Sequence, residues 1–328
     1  MAVIALDLGA TKLAGAIFQP DGNPIKKVVL SLGKRGGDEV SRLILKLITD
    51  QLGYARSKGM PVEALGCCVP GIVHARTGRV WAPNIDGWDD FPLLDRIVQG
   101  IHPEEFHITL DNDRACSIMG EAWQGSARGC RNVIFLSVGT GIGAGIMTDG
   151  KILRGSSDIA GSVGWLALNL PFREKYTSCG CFEYHASGDG LSRIALEYLN
   201  KSSHYDGIFR DLNPEDITAQ VVFDAYGQHD PIAIKVMNQA VVYWGMAVAN
   251  LVSLFNPEKI IFGGGVFGPA SMLLENILKE ARKWAQPVSI KQVKLEASSL
   301  GSDAGLFGAG FLALNGKSRQ TRRNRSHV

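Results

Sequence analysis

The 328-residue chain lacks most of the marks that would narrow its function quickly. It has no marked excess of either charge. The 34 basic and 32 acidic residues nearly cancel, and part of the small surplus lies in the terminal KSRQTRRNRSHV. The body therefore carries no basic footprint for DNA or RNA, and residues 317–328 read as a solvated tail. No basic stretch with a following apolar run precedes VIALDLG, so no secretion signal is expected, and no apolar run is read as a membrane span. Cysteine is scarce: Cys67, Cys68, Cys116, Cys130, Cys179 and Cys181 are scattered without a disulfide framework, which suits reduced thiols in a cytoplasm. The P-loop pattern G-x-x-x-x-G-K-[ST] does not occur. What is present is a 45% apolar composition in a chain long enough for two domains.

An internal repeat organises the chain. VIALDLGATKLAGAI (3–17) matches VIFLSVGTGIGAGIM (133–147) without a gap, each copy reading as a β-hairpin that opens one half of the molecule. Gly139, Gly141 and Ala144 also have dinucleotide-turn spacing, but that turn must run into a helix. Here Thr148-Asp149-Gly150 separates two short apolar runs and predicts a hairpin instead. Val40, Leu43, Ile44, Leu47 and Ile48 keep a helical period, and residues 230–255 predict a long, mostly buried helix ended by Asn256-Pro257. Alternating strands and helices in both halves indicate an α/β fold.

Several short stretches could carry chemistry. Asp7 precedes a turn with Gly9, Thr11 and Lys12, where backbone N–H groups, a hydroxyl and an ammonium could meet phosphate oxygens, and Asp7 could hold hydrated Mg²⁺. A tight turn with a capping aspartate explains the same residues. The second copy offers Gly139, Thr140 and Gly141. Gly263, Gly264 and Gly265 follow an apolar strand, either as a close-packed turn or as a surface for a nucleoside. Asp113 follows a β-rich run at a strand-to-helix junction, as an N-cap or as a general base with Asn112 orienting a hydroxyl.

Taken together, DLGATK, VPGIVHARTGRVWAPNIDGW (69–88), Asn112-Asp113 with Gly120-Glu121, SVGTGIGAGI, GCFE with Ser187-Gly188, NPEKIIFGGGV and LGSDAGLFGAG (300–310) resemble the ROK family of repressors and sugar kinases. That family belongs to the actin/hexokinase superfamily, and the resemblance runs from about residue 3 to about 314. It implies a two-domain actin/hexokinase-like (ribonuclease H-like) fold with a cleft between the domains. The expected division is residues 1–112, completed by a helix at about 303–316, and residues 113–302. It further implies ATP and Mg²⁺ on the phosphate hairpins, Asp113 as the base, and Gly71, Asn84, Asn112 and Glu183 around a sugar. A homodimer is the expected assembly. Family repressors carry a helix-turn-helix ahead of the first hairpin, so no nucleic-acid or membrane partner is expected here.

One motif departs from the family. Where its kinases place E-x-G-H, the chain has Ser162-Val163-Gly164-Trp165, losing a sugar-binding carboxylate and a histidine that also ligates structural zinc. Glu174 and Tyr176 replace two of the zinc cysteines. A rearranged set of Cys179, Cys181 and His185 lacks an evident fourth ligand and has tight spacing, so no zinc site is expected. Trp165 suits stacking on a sugar ring, and equally suits plugging the core where zinc would sit. Arg114 could point to solvent or to a charged substrate. The resulting expectation is an ATP-dependent kinase for a hexose or derivative other than plain glucose, such as an amino or deoxy sugar or a cyclitol. A non-catalytic sugar or metabolite sensor and a polyphosphate-dependent kinase are the alternatives.

Overall fold

The computed structural model describes residues 2–101 and 107–316, so the basic tail at 317–328 lies outside the described residues. The first sheet begins as an antiparallel meander of β1 (Ala2–Leu8), β2 (Lys12–Phe18) and β3 (Pro24–Ser31). The helix α1 (Gly37–Ser57) follows, burying Val40, Ile44, Leu47 and Ile48 on the side their spacing predicts. Then come β4 (Val62–Val69), the small hairpin β5 (Ile72–Val73) and β6 (Val80–Trp81), and the helix α2 (Leu93–Ile101). β7 (His107–Asn112) leads straight into α3 (Asp113–Gln124). β4 and β7 add in parallel beyond β1, giving the order β3-β2-β1-β4-β7.

The second sheet repeats this plan. β8 (Val133–Val138), β9 (Ile142–Thr148) and β10 (Lys151–Ile152) form the meander, and β11 (Lys259–Gly263) and β12 (Lys294–Ala297) add in parallel, in the order β10-β9-β8-β11-β12. Six helices accompany it: α4 (Cys181–Ala186), α5 (Gly188–Asn200), α6 (Ala219–Gly227), α7 (Pro231–Phe255), α8 (Leu274–Ala281) and α9 (Ser289–Gln292). A last helix, α10 (Ala304–Asn315), returns to the first sheet.

The turn signals act as the sequence predicts. Asp149 and Gly150, both at positive φ, join β9 to β10 with Thr148 opposite Lys151, so the dinucleotide reading fails and a hairpin stands in its place. Asp230 caps α7 by accepting from Ile232 and Ala233 N–H at 2.8 and 3.0 Å, and Asn256 ends it in the left-handed conformation.

Three expectations change. First, the ungapped repeat does not hold through the hairpins. The first turn spans residues 9–12, between Leu8 and Leu13, whereas the second spans 139–141, between Val138 and Ile142. The returning strand is thus displaced by one residue, so Gly15 faces Leu6 while Gly145 faces Phe135. Second, α7 is itself long and apolar enough to cross a membrane, although 61% of its most apolar window is buried inside the protein, as befits a core helix.

Third, the chain divides differently from the reading that ended the first domain at residue 112. Among the described residues, one compact unit holds residues 2–129, Arg154–Ala160 and residues 303–316; the other holds Cys130–Leu153 and Gly161–Ser302. α3 belongs with the first unit because it packs backbone to backbone on α10. A Cβ at Gly120 would lie 2.2 Å from the Ala304 carbonyl oxygen, and one at Gly308 would lie 1.8 Å from that of Cys116.

Candidate active site

In the first unit the predicted residues gather at the carboxyl ends of the parallel strands β1, β4 and β7, where ligands of α/β sheets bind. Strand pairing sets Asp7, Cys68 and Asp111 in one row across the sheet. Burial pushes the Asp7 carboxyl up to about 6; the Asp113 and Asp303 charges push the same way, against a hydrogen bond from Cys68 and the charge of Lys12. Such a carboxylate is short of positive charge. With an ammonium beside it and no crowd of protein ligands, it fits a Mg²⁺ held through water, which needs only one or two carboxylates. Among the described residues, no three His, Cys, Asp or Glu side chains form a direct metal cluster. Gly9, Thr11 and Lys12 form the adjoining turn, closed by Gly9 N–H donating to Lys12 O at 2.9 Å.

The junction of β7 and α3 separates the two explanations of Asp113. Asn112, not Asp113, caps α3: its Oδ1 accepts from Ala115 N–H at 2.9 Å. The Asp113 side chain is 52% exposed. Its Oδ1 accepts from Arg114 N–H at 2.9 Å. Surrounding protein raises its proton affinity, partly offset by the Arg114 guanidinium. Arg114 does not extend into solvent, since its side chain is only 15% exposed. With one Oδ1 lone pair committed to the cap, Asn112 keeps its amide donors for a ligand.

Gly71 sits at φ +82, and a Cβ there would lie 2.0 Å from the Trp81 carbonyl oxygen, so the β5–β6 hairpin requires glycine. The next loop is anchored by fully buried Trp88, which donates from Nε1 to Gly37 O at 3.1 Å and stacks on Phe91, leaving Asn84 exposed.

In the second unit the turn 139–141 is the hub. Gly188 N–H donates to Gly139 O at 2.7 Å, and Ile142 N–H donates to Glu183 Oε2 at 2.6 Å. The Glu183 carboxyl is pushed up by burial, and that N–H bond opposes the push. Gly141 has no room for a Cβ, which would meet Glu183 Oε2 at 2.7 Å. A Cβ at Gly164 would lie 3.0 Å from the same oxygen, so Glu183 packs between the 139–141 turn and the altered motif.

The three consecutive glycines have separate reasons. Gly263 faces Phe135, where a Cβ would lie 2.2 Å from the ring, and Gly264 has φ +85 against the Val138 carbonyl. Only Gly265 lines the large cavity, about 590 Å³, together with Gly139, Thr140, Gly188, Asp189, Arg193 and Thr218. The sequence reading missed Asp189, Arg193 and Thr218; Ser187-Gly188 just before them, already noticed, was the available signal.

Trp165 is 57% exposed, which excludes the core-plug reading. The region is instead filled by hydrogen-bonded side chains. Tyr198 O–H donates to Gln239 Oε1 at 2.9 Å, Gln239 Nε2 lies 3.0 Å from His185 Nδ1, and His185 Nε2 lies 3.0 Å from the Tyr176 hydroxyl. Both ring nitrogens of His185 are thereby engaged, and its ring stacks on Tyr243 at 4.4 Å. Tyr176 does this through its hydroxyl.

A second feature escaped the sequence reading. Arg154 belongs to the first unit and grips Asp111 in two bonds, Nη1 to Oδ1 at 2.8 Å and Nη2 to Oδ2 at 2.5 Å, with the Asp111 side chain only 2% exposed.

A sequence profile described as the ROK family matches residues 3–315. A glucokinase from Halalkalibacterium halodurans is 32% identical over 319 residues, covering 94% of both chains. Among solved structures, a ROK hexokinase from Thermus thermophilus has a TM-score of 0.78 at 29% identity, covering 97% of this chain and 100% of its own. A ROK family glucokinase from Streptomyces griseus, in complex with glucose and AMPPNP, has a TM-score of 0.75 at 29% identity, covering 95% and 99%. The fold is thus the two-domain actin/hexokinase-like α/β architecture, and the chain belongs to the ROK family.

Proposed function

We propose that the chain is a cytoplasmic, ATP- and Mg²⁺-dependent sugar kinase that phosphorylates a hydroxyl, the one on C6, of a hexose or hexose derivative such as an amino or deoxy sugar. The observation that carries this reading is the start of α3, where Asn112 supplies the cap and leaves the half-exposed Asp113 carboxylate available as a base. Asp113 takes the proton as the sugar oxygen forms a bond to the γ-phosphorus, while the bond from that phosphorus to the β–γ bridging oxygen breaks and ADP leaves. Asn112, Asn84, Glu183 and the Gly71 backbone position the sugar. Gly9, Thr11, Lys12, Gly139, Thr140 and Gly141 meet the phosphates, and the cavity at Gly265 takes the nucleoside. Mg²⁺ beside Asp7 supplies positive charge to the phosphate oxygens.

Support for the donor and acceptor comes from the glucokinase relative and from the S. griseus enzyme with glucose and AMPPNP. Loss of a carboxylate at Ser162 and the exposed ring of Trp165 argue for a sugar that differs from plain glucose on the face they meet. The same loss favours a second reading, a sugar sensor without turnover. ADP release with ATP and Mg²⁺ across hexoses, amino, N-acetyl and deoxy sugars and cyclitols separates them. Turnover of one compound that disappears in Asp113→Asn supports the kinase; sugar binding without turnover across the panel supports the sensor.

A further inference from the structure

The second unit has another cavity, about 250 Å³, that shares no lining residue with the nucleoside-sized one. His185, Gln239 and Tyr243 line it, and Arg173, Lys175, Glu197 and Lys201 surround it. Three cations thus face one carboxylate. That carboxylate is already satisfied, because Glu197 Oε1 accepts from Lys175 Nζ and from the Tyr184 hydroxyl, both at 2.7 Å. Arg173 and Lys201 enter no ion pair among the described residues. Converging cations repel one another, a cost that an anion bound among them would relieve. His185 adds no charge: burial first, then the Lys175 charge and those of Arg173 and Arg193, outweigh Glu197 and hold its pKa at about 4.

We infer that this cavity is an anion site for a phosphate group, free or carried by a small sugar, held by Arg173, Lys175 and Lys201. Two unpaired cations beside a paired one suit a dianion, and the volume suits a small ligand rather than a nucleotide. The loop it would brace runs from Asn169 through Tyr176 to His185. The inference does not depend on the kinase reading.

Titration calorimetry and imidazole NMR test it, using inorganic phosphate and a hexose 6-phosphate as probes against wild type and Arg173→Gln/Lys201→Gln. Both side chains are exposed, so the double variant keeps its fold, and its unliganded melting temperature checks this. Phosphate should raise the His185 titration midpoint in the wild type. The double variant should bind roughly tenfold more weakly or worse and lose the His185 response. Phosphate bound only at the glycine turns would leave His185 unmoved. A silent His185, or equal binding and equal response in the double variant, overturns the inference. Tighter binding of the hexose phosphate, read from the His185 response and lost in the double variant, identifies a phosphorylated sugar as the ligand, and an equal response identifies phosphate itself.

Discussion

Acid should unfold this protein partly through a single buried imidazole. The His185 side chain is 6% exposed, makes hydrogen bonds through both nitrogens, and is held at about 4 rather than its ordinary 6.5. Between those values the unfolded chain binds the proton and the folded chain does not, so stability falls as pH drops from 6.5 towards 4 and levels off below. At pH 5 the loss relative to neutral pH is about 2 kcal/mol. Asp7 acts in the opposite sense. Its folded value of about 6 against an ordinary 3.8 means that the folded chain binds the proton first, adding about 1.4 kcal/mol of stability at pH 5. A wild-type profile alone would therefore mix two opposed effects. The decisive quantity is the stability difference between wild type and His185→Asn, because Asp7 lies in the other unit and its contribution cancels. Denaturant unfolding at pH 7.5 and 5.0, followed by tryptophan fluorescence, should show the wild-type advantage shrinking by about 2 kcal/mol at the lower pH. A gap unchanged within about 0.5 kcal/mol, or an imidazole that titrates near 6.5 by NMR, would refute the reasoning.

Other consequences follow from the same structure. Asp113→Asn should lower kcat by about 10²- to 10⁴-fold with little change in the melting temperature, and the wild-type rate should fall as acid protonates a carboxyl whose proton affinity is raised. Trp165→Ala should alter KM for the sugar while changing stability by less than about 0.5 kcal/mol, as its exposure dictates; a large loss of stability would restore the packing role. Arg154→Ala strands the buried Asp111 carboxylate and should cost about 3–5 kcal/mol by denaturant titration, with Arg154→Lys less harmful. Gly161→Ala, at φ +95 with its Cβ 1.9 Å from the Ala144 carbonyl oxygen, should cost about 1–3 kcal/mol or more.

The local signals were legible because they act within a few residues. The Asp149-Gly150 turn, the Asp230 and Asn256 ends of α7 and the buried stripe of α1 depend on backbone preference and period, which neighbouring residues fix. The duplicated halves were legible too, since two similar strands open two similar sheets. The sequence could not choose between Asp113 as a cap and Asp113 as a base, because only the path of the chain into α3 decides that the oxygen of its neighbour Asn112 reaches the N–H instead.

By itself, then, the sequence determined the two α/β halves, their glycine turns and the membership in a family. Tertiary structure decided what no spacing records: the one-residue displacement of the second hairpin, the exposure of Trp165, the separate duties of Gly263, Gly264 and Gly265, and the grip of Arg154 on Asp111. The glycine duties and the Arg154 grip depend on residues distant in the chain meeting in space, where a clash of 2 Å or a buried unpaired charge outweighs local preference.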